Sequence, residues 1–526
     1  MRNDSGQNRK KTEMRVFRLK MPQWVAKLHR YLASPTYPPF TPEQLAPRFW
    51  GGAMMPAYIA DPLNYLVTGT INSGKTLLML LWLRTVLAGI KPGSDQRMVA
   101  YDPKNNVLRD IHGMGAQVPI KLLLPSDVRS VRLDLHSMVV SMADAIQFAA
   151  AIVPAVQGEK SPFYTNACRS MLAGVMQSLF LSGARWDLRD VLLILEDETY
   201  LREVLGRSPH TRSKLRFMAN SEVWQNLQAT MEEKFGELRI VAAYWSNTYE
   251  DLSLDEFLRT EQIIVLGKDQ RIETALAAVY QVFFKRLSEL ILALPENKSK
   301  RIFMFLDEFP RVCGDSEIPG FEDLLSEGRD RGVSCLIAFQ HIDQLVQRYE
   351  EKKTNSLISY FRNQAYFGTA DHKHAEWCAK QAGEERKREW NHSETIGTNQ
   401  SYTSGPGGGS ATVGSSWSYG ISTQIVDRSV VLPSTFLDLP LPAKETGLVG
   451  YYRSAAIGLW QAVIPGDWIA RNLPTRSADI PGYLRRPNSQ QLLDPFGPED
   501  LKRLGLTGNS TQKVVSAIEQ MIDPDA

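Results

Sequence analysis

The sequence predicts an α/β fold: a parallel sheet flanked by helices and interrupted by an all-helical stretch. Three observations carry that prediction. Short apolar strands alternate with helical text between residues 55 and 136. The alternation stops, then resumes after about residue 255, with strands at 262–266, 302–306 and 333–339 and a helix at 274–293. Between them, residues 137–255 hold few β-branched runs and long amphipathic stretches, as helices set into an α/β domain do.

In chain order, residues 1–54 form a basic N-terminal segment, whose first thirty residues carry nine Lys/Arg against two acids. Within residues 14–28, Val16, Phe17, Leu19, Met21, Trp24, Val25 and Leu28 intersperse with basic side chains. Such a pattern suits an anionic membrane surface or a docking partner, although Pro22 interrupts it. Residues 55–136 are the first part of the α/β domain, with a short strand at 65–68, a helix at 75–87 and a strand at 98–101. Residues 137–255 are the all-α domain, with clear amphipathic stretches at 163–181 and 186–205. Residues 256–465 resume the α/β domain. The segment 391–423 within them is Ser/Gly/Thr-rich, low in charge, and reads as a flexible surface loop. Residues 466–526 form a C-terminal tail that begins Pro-rich and ends in short helices near 498–504 and 511–522.

Composition excludes several classes. Among 526 residues, 60 Lys+Arg balance 58 Asp+Glu, so any nucleic-acid site has to be a local patch rather than bulk charge. The four cysteines, Cys168, Cys313, Cys335 and Cys378, have neither zinc-finger nor redox spacing, which argues against a disulfide framework and for a reducing compartment. His372, His374 and Cys378 fall close together, but no second cluster completes four metal ligands. No segment reaches the roughly 18 uninterrupted apolar residues of a membrane span, and the basic N-terminus lacks the apolar core of a secretory signal. The expectation is a soluble, cytoplasmic protein.

Chemistry enters with Gly69, Thr70, Ile71, Asn72, Ser73, Gly74, Lys75 and Thr76, which match G-x-x-x-x-G-K-[ST] between a strand and a helix. Backbone N–H groups there point at phosphates, Lys75 neutralises the β/γ-phosphates of ATP, and Thr76 offers its hydroxyl to Mg²⁺. Asn72 stands where a glycine would be freest, yet Asn tolerates positive φ better than most side chains. The run 301–306 is an apolar strand ending in Asp307 and Glu308. Asp307 is placed to hold Mg²⁺ and Glu308 to polarise the attacking water, which points to hydrolysis rather than transfer to a substrate hydroxyl. A rival acidic cluster, Glu196-Asp197-Glu198, falls in the helical stretch and reads as a solvated helix face. Gln340 ends the strand 333–339, at the sheet edge where ligands bind, and suits a sensor of nucleotide state. Arg329 and Arg331 flank Asp330 on a glycine-bounded turn, and either one suits an arginine finger reaching a neighbouring subunit.

Taken together, these motifs resemble a family. The P-loop, Tyr101-Asp102-Pro103-Lys104, LDEFP at 306–310, EGRDRGV at 327–333 and Phe339-Gln340 are similar to those of type IV coupling proteins. These are the TraD/TraG-type ATPases of conjugation and type IV secretion, within the HerA/FtsK group of ring translocases. The likeness continues through 374–384, 427–440 and 447–452, and covers residues 50 to 465. It implies a RecA-like domain interrupted by an all-α domain, a homohexamer with DNA in its channel, and ATP at subunit interfaces. By motif position, Lys75 and Thr76 take the Walker A roles, Asp307 and Glu308 the Walker B roles, Gln340 the sensor role and Arg329 the finger. It also implies a relaxase or other secretion substrate and type IV secretion channel subunits as partners.

The resemblance departs at one point, because most members begin with transmembrane helices and this sequence shows none. Residues 137–255, the part expected to receive the DNA strand, hold eleven Lys/Arg against fifteen Asp/Glu, so charge lends them no separate support. The leading reading is an ATP-driven DNA translocase in the cytoplasm or peripheral at the cytoplasmic face of the inner membrane. The alternatives are a soluble receptor for protein cargo with ATP-dependent ring assembly, and a HerA-like motor of DNA processing or defence.

Overall fold

The computed structural model describes residues 64–154, 162–297, 299–403, 406–408, 410–454, 458–473 and 475–507. The basic segment with its amphipathic stretch 14–28, and the helix expected at 511–522, lie outside the described residues. The chain divides into two compact units, one made of residues up to Phe367 and from Pro440 onward, the other of Gly368–Leu439.

The first unit is built on a sheet of β1 (Tyr65–Thr68), β2 (Gln96–Tyr101), β3 (Ile120–Leu123), β4 (Ile263–Leu266), β5 (Arg301–Leu306), β6 (Val333–Phe339), β7 (Asn363–Tyr366), β8 (Leu448–Ser454) and β9 (Gly458–Ile464). Their spatial order is β9-β8-β7-β1-β6-β5-β2-β4-β3. Every pairing from β7 to β3 is parallel, whereas β8 runs antiparallel to both β7 and β9 and closes one edge as a hairpin. All residues of β1, β4, β5 and β6 are buried, as strands covered on both faces must be, and this is why they read as unbroken apolar runs. The helix Lys75–Leu87 lies deep in the same core. Its Trp82 ring meets those of Tyr65 and Phe303 edge-on at 6.1 and 5.8 Å between centroids. The one full charge on the strand β2 interior, Arg97, is paired with Asp95 and donates to the carbonyl oxygens of Phe257 and Leu258.

The helical stretch begins and ends at a separate two-stranded sheet, where Arg132–Leu133 pairs in parallel with Asp251–Leu252. Between them, helices Met142–Ile152, Phe163–Ser182, Leu188–Glu196, Glu198–Gly206 and Ser221–Ser246 pack on one another, and Met142–Ile152 also packs on the sheet-flanking helix Glu273–Leu292. The stretch 186–205 is therefore two helices rather than one. Asp197 breaks it, because its carboxylate caps the second helix through the Thr199 and Tyr200 N–H groups at 2.8 and 3.0 Å. The cluster Glu196-Asp197-Glu198 is solvated as expected, Glu196 and Glu198 being exposed, but it sits at the junction of two helices rather than on one helix face. Glu196 pairs with Arg239 at 2.8 Å, Glu198 with Arg202 at 2.6 Å, and Asp197 is the cap between them.

Within the C-terminal tail, residues 475–507 form a strap, which includes the expected short helix at Pro498–Leu504. Arg476 pairs with Asp110 beside the sheet at 2.7 Å. Arg486, buried, donates to the Asp127 carbonyl and to Thr248 Oγ1. Arg503 grips the fully buried Asp190 of the helical stretch with bonds of 2.7 and 2.9 Å.

In the second unit, the segment 391–423 departs from the expected flexible loop. It belongs to an antiparallel ribbon of Glu384–Thr403 against Ser410–Ser429. Its Ser, Gly and Thr content masked a period-two alternation, in which Ile396, Tyr402, Val413, Trp417 and Tyr419 recur on one face. In the helix His372–Ala382, His374 Nε2 lies 3.7 Å from Cys378 Sγ, and no metal-binding cluster of three His, Cys, Asp or Glu occurs among the described residues.

Candidate nucleotide site

The site follows from strand order. β1, β6, β5 and β2 are consecutive neighbours, and all four run in the same direction. Whatever follows their last residues therefore meets at one edge of the sheet, the edge at which ligands bind in α/β folds. After β1 comes the loop 69–74, after β6 Gln340, after β5 Asp307 and Glu308, and after β2 Lys104. The cleft they form has a volume of about 360 Å³ and is lined by Ile71, Asn72, Gly74, Lys75, Thr76, Lys104, Asp307, Glu308 and Gln340, among others.

The loop takes its shape from three residues in left-handed or related backbone conformations: Gly69 at φ 149°, Asn72 at φ 61° and Gly74 at φ 99°. A Cβ on Gly74 would in addition lie 2.2 Å from Leu448 Cδ1 on strand β8, so that side chain would have to move to admit one. Lys75 Nζ donates to the Gly69 and Thr70 carbonyl oxygens at 2.6 and 2.7 Å, which draws the ammonium back over its own loop. Burial lowers the Lys75 pKa to about 8; Asp307 and Glu308 oppose that shift, while Lys104 adds to it. Asp307 is held above the ordinary carboxylate range by burial, with Lys104 the strongest opposing influence. Its Oδ1 accepts the Glu308 N–H at 3.0 Å.

Glu308 has φ 53°, a strained conformation for a residue with a side chain, which costs on the order of 1–3 kcal/mol and persists where surrounding structure enforces it. Its Oε1 accepts a long hydrogen bond of 3.5 Å from Gln340 Nε2. Gln340 is itself steadied through its backbone N–H, which donates to Gln344 Oε1 at 3.2 Å.

The sequence singles out Lys104 only within the motif Tyr101-Asp102-Pro103-Lys104. Its signal was the Asp102-Pro103-Lys104 turn after a buried strand. The buried Asp102 carboxylate accepts the backbone N–H groups of Lys104, Asn106 and Leu108 at 3.3, 2.9 and 3.3 Å, fixing the turn that delivers Lys104 to the cleft. Arg329 is not brought to this cleft. It is exposed on the single turn Gly328–Arg331. Arg331 is occupied locally, donating to the Leu294 and Glu327 carbonyl oxygens at 3.1 and 2.9 Å. Gly332 sets the end of that turn at φ 86°, with its α-carbon too close to the Lys300 carbonyl to carry a Cβ.

A P-loop, a strand-end carboxylate pair and a second lysine on one parallel sheet define a RecA-like P-loop nucleotide-binding protein. More narrowly, the chain belongs to the family of type IV secretion-system coupling proteins. The family's coupling-protein DNA-binding domain matches residues 55–449, most of the chain. The coupling protein TraD of Escherichia coli (strain K12) is 22% identical over 329 residues, 61% of this chain. The match spans 44% of that relative, so the chain covers less than half of its length. Solved structures of the bacterial conjugative coupling protein TrwB share the fold at a TM-score of 0.62 and 18% identity. They cover 88% of this chain and 94% of TrwBΔN70 in its unbound form. Other TrwB structures, with a non-hydrolysable ATP analogue and with ADP and Mg²⁺, agree to the same degree. No described helix is long and apolar enough to cross a membrane.

Proposed function

We propose that this chain is an ATP-driven DNA translocase, a coupling ATPase that recruits DNA, relaxase-bound, and feeds it toward a type IV secretion channel. The observation that carries the reading is the convergence of Lys75, Lys104, Asp307, Glu308 and Gln340 on one cleft, in a chain of the coupling-protein family. The coupling protein TrwB, which shares the fold, has been solved in complex with a non-hydrolysable ATP analogue and with ADP and Mg²⁺, which supports the reading.

The loop N–H groups and the first turn of helix Lys75–Leu87 cradle the phosphates, and Lys75 swings from its loop carbonyls to the β- and γ-phosphates. Thr76 and Asp307 fit Mg²⁺, an oxygen-preferring ion commonly held by one carboxylate, a hydroxyl and the substrate's own phosphates. When bound there, Mg²⁺ would supply positive charge that neutralises the phosphates. Glu308 accepts a proton from water as the oxygen attacks the γ-phosphorus; the bond to the β-phosphate oxygen breaks, and ADP and phosphate leave. Gln340 holds Glu308 and the attacking water in line. Lys104 places a second positive charge at the γ-phosphate end. Arg329 acts on the cleft of the next copy in a homohexameric ring. ATP turnover then moves loops that grip DNA phosphates with little sequence preference.

The test is the ATPase rate of the purified chain with and without single- and double-stranded DNA, with mass by light scattering in the same buffer. Stimulation by DNA in an oligomer supports the motor. A rate indifferent to both DNA forms, at any salt, rejects it.

A further inference from the structure

The ribbon Glu384–Thr403/Ser410–Ser429 runs through twenty successive register pairs, from Glu384↔Ser429 to Thr403↔Ser410, without a bulge. At about 3.4 Å per residue it is roughly 65 Å long. It forms a two-stranded sheet, with no third strand against either edge among the described residues. Long edges expose rows of backbone N–H and C=O groups, and proteins blunt such edges with charge, proline, bulges or cover. Charge guards only the base of the ribbon, at residues 384–389, Glu394, Asp427 and Arg428; beyond it none of the first three devices operates. From Thr395 to Val426 there is no Asp, Glu, Lys, Arg or His, and Pro406 lies in the turn rather than in a strand. The two faces also differ. Ile396, Tyr402, Val413, Trp417, Tyr419 and Ile425 share one face and are 58–77% exposed. The other carries small polar residues such as Ser393, Asn399, Ser416 and Ser418. A two-stranded ribbon with a solvated aromatic face has little to hold it in water.

We infer that the ribbon's edges are covered by the ribbons of neighbouring copies of this chain, first strand of one against second strand of the next, so that a ring of copies closes a β-collar. The inference rests on the homo-oligomeric reading above. Self-pairing satisfies both open edges at once, because strands then alternate in direction all round the collar, and closure removes edges altogether. A second copy also matches the ribbon in length, neutrality and face chemistry, so the aromatic face continues across each junction and the Ser/Thr face does likewise. A bilayer fits less well, since Thr398, Gln400 and Ser415 interrupt the apolar face at its middle.

The test uses full-length chains bearing one added cysteine each, so that any disulfide through an added thiol joins two copies. The native cysteines are buried and leave the added thiol as the accessible one. Chains with Gln400→Cys are mixed with chains carrying Val413→Cys, Ser415→Cys, Trp417→Cys or Tyr419→Cys, oxidised mildly and run without reductant, with light scattering alongside. The expected result is cross-linking that peaks several-fold at one register and falls off on either side. An intact oligomer that cross-links at none of these positions overturns the collar while leaving the oligomer standing. A monomer by light scattering removes both. Cross-linking seen only with phosphatidylcholine vesicles, with the chain floating alongside them, assigns the face to lipid and also overturns it.

Discussion

Gln340 Nε2 lies 3.5 Å from Glu308 Oε1, so the ends of neighbouring strands β6 and β5 are joined at one carboxylate. That bond gives each residue a separable consequence. Glu308→Gln removes the proton acceptor but leaves the phosphate cradle intact. ATP binding, measured with a fluorescent analogue, should stay near wild type while turnover falls by about 10²–10⁴-fold, the range of a general base. Gln340→Ala leaves the carboxylate present but unsteadied and should cost about tenfold, a smaller loss consistent with a positioning role. Equal losses in the two variants would contradict the division of labour.

Lys75 predicts a pH dependence. Its pKa is lowered to about 8 by burial, and only the ammonium attracts phosphate. Nucleotide affinity of the free protein should therefore be flat below pH 8 and weaken as pH rises above it. The stability effect has the opposite sign: folding depresses the pKa, so the neutral amine is favoured in the fold and this contribution grows more favourable as pH rises from about 8 to the unfolded value. Lys75→Arg keeps its charge throughout and should flatten the affinity profile, whatever it does to absolute affinity. Titration of nucleotide binding from pH 7 to 10 checks both.

Lys104 shares the cleft with Lys75 and is the strongest influence drawing the Asp307 carboxyl back toward its ionised form. Lys104→Met should weaken binding of ATP more than of ADP, since its charge is assigned to the γ-phosphate end, and should raise the Mg²⁺ concentration needed for half-maximal turnover. Calorimetry with the two nucleotides separates this from a general loss of folding.

The strap makes a stability prediction. Asp190 is fully buried and takes two charged hydrogen bonds from Arg503, which is about one-third exposed, with Arg189 a second, longer ion-pair partner at 3.9 Å. Arg503→Ala strands part of that charge, although Asp190 also accepts the Asp187 N–H through its capping box. The expected loss is about 1–3 kcal/mol, below that of a wholly buried pair because solvent reaches Arg503. Urea melts of the full chain measure it, and an unchanged midpoint would mean that the strap does not brace the helical stretch.

Much of the site was legible because its chemistry is written in consecutive letters. Gly69 to Thr76 and Asp307-Glu308 each sit at the end of an unbroken apolar strand, and parallel strands deliver their ends to one edge. What stayed hidden depends on pairing between distant segments. Lys104 becomes a site residue only because β2 lies beside β5, an adjacency no local pattern encodes. The antiparallel closure by β8 and β9 was likewise invisible. In the ribbon, Ser and Gly composition outweighed the alternation. The strap's anchors are single arginines whose partners lie some 240 to 370 residues away.

Arg329 supplies the last test, and it depends on geometry between copies. The residue is exposed on the turn Gly328–Arg331 and lies outside its own chain's cleft, while Arg331 is tied to the Leu294 and Glu327 carbonyl oxygens. If Arg329 completes the neighbouring cleft, Arg329→Ala should bind nucleotide normally and hydrolyse it slowly, with a loss of about 10³-fold at the lower bound for an arginine finger. Arg331→Ala should mainly destabilise the turn. The decisive experiment mixes two inactive chains, Arg329→Ala and Lys75→Ala. A mixed ring contains interfaces where an intact Lys75 cleft from the first meets an intact Arg329 from the second, so partial activity returns on mixing. Residues acting within one chain cannot complement in this way, and a mixture as inactive as its components would remove Arg329 from the reaction.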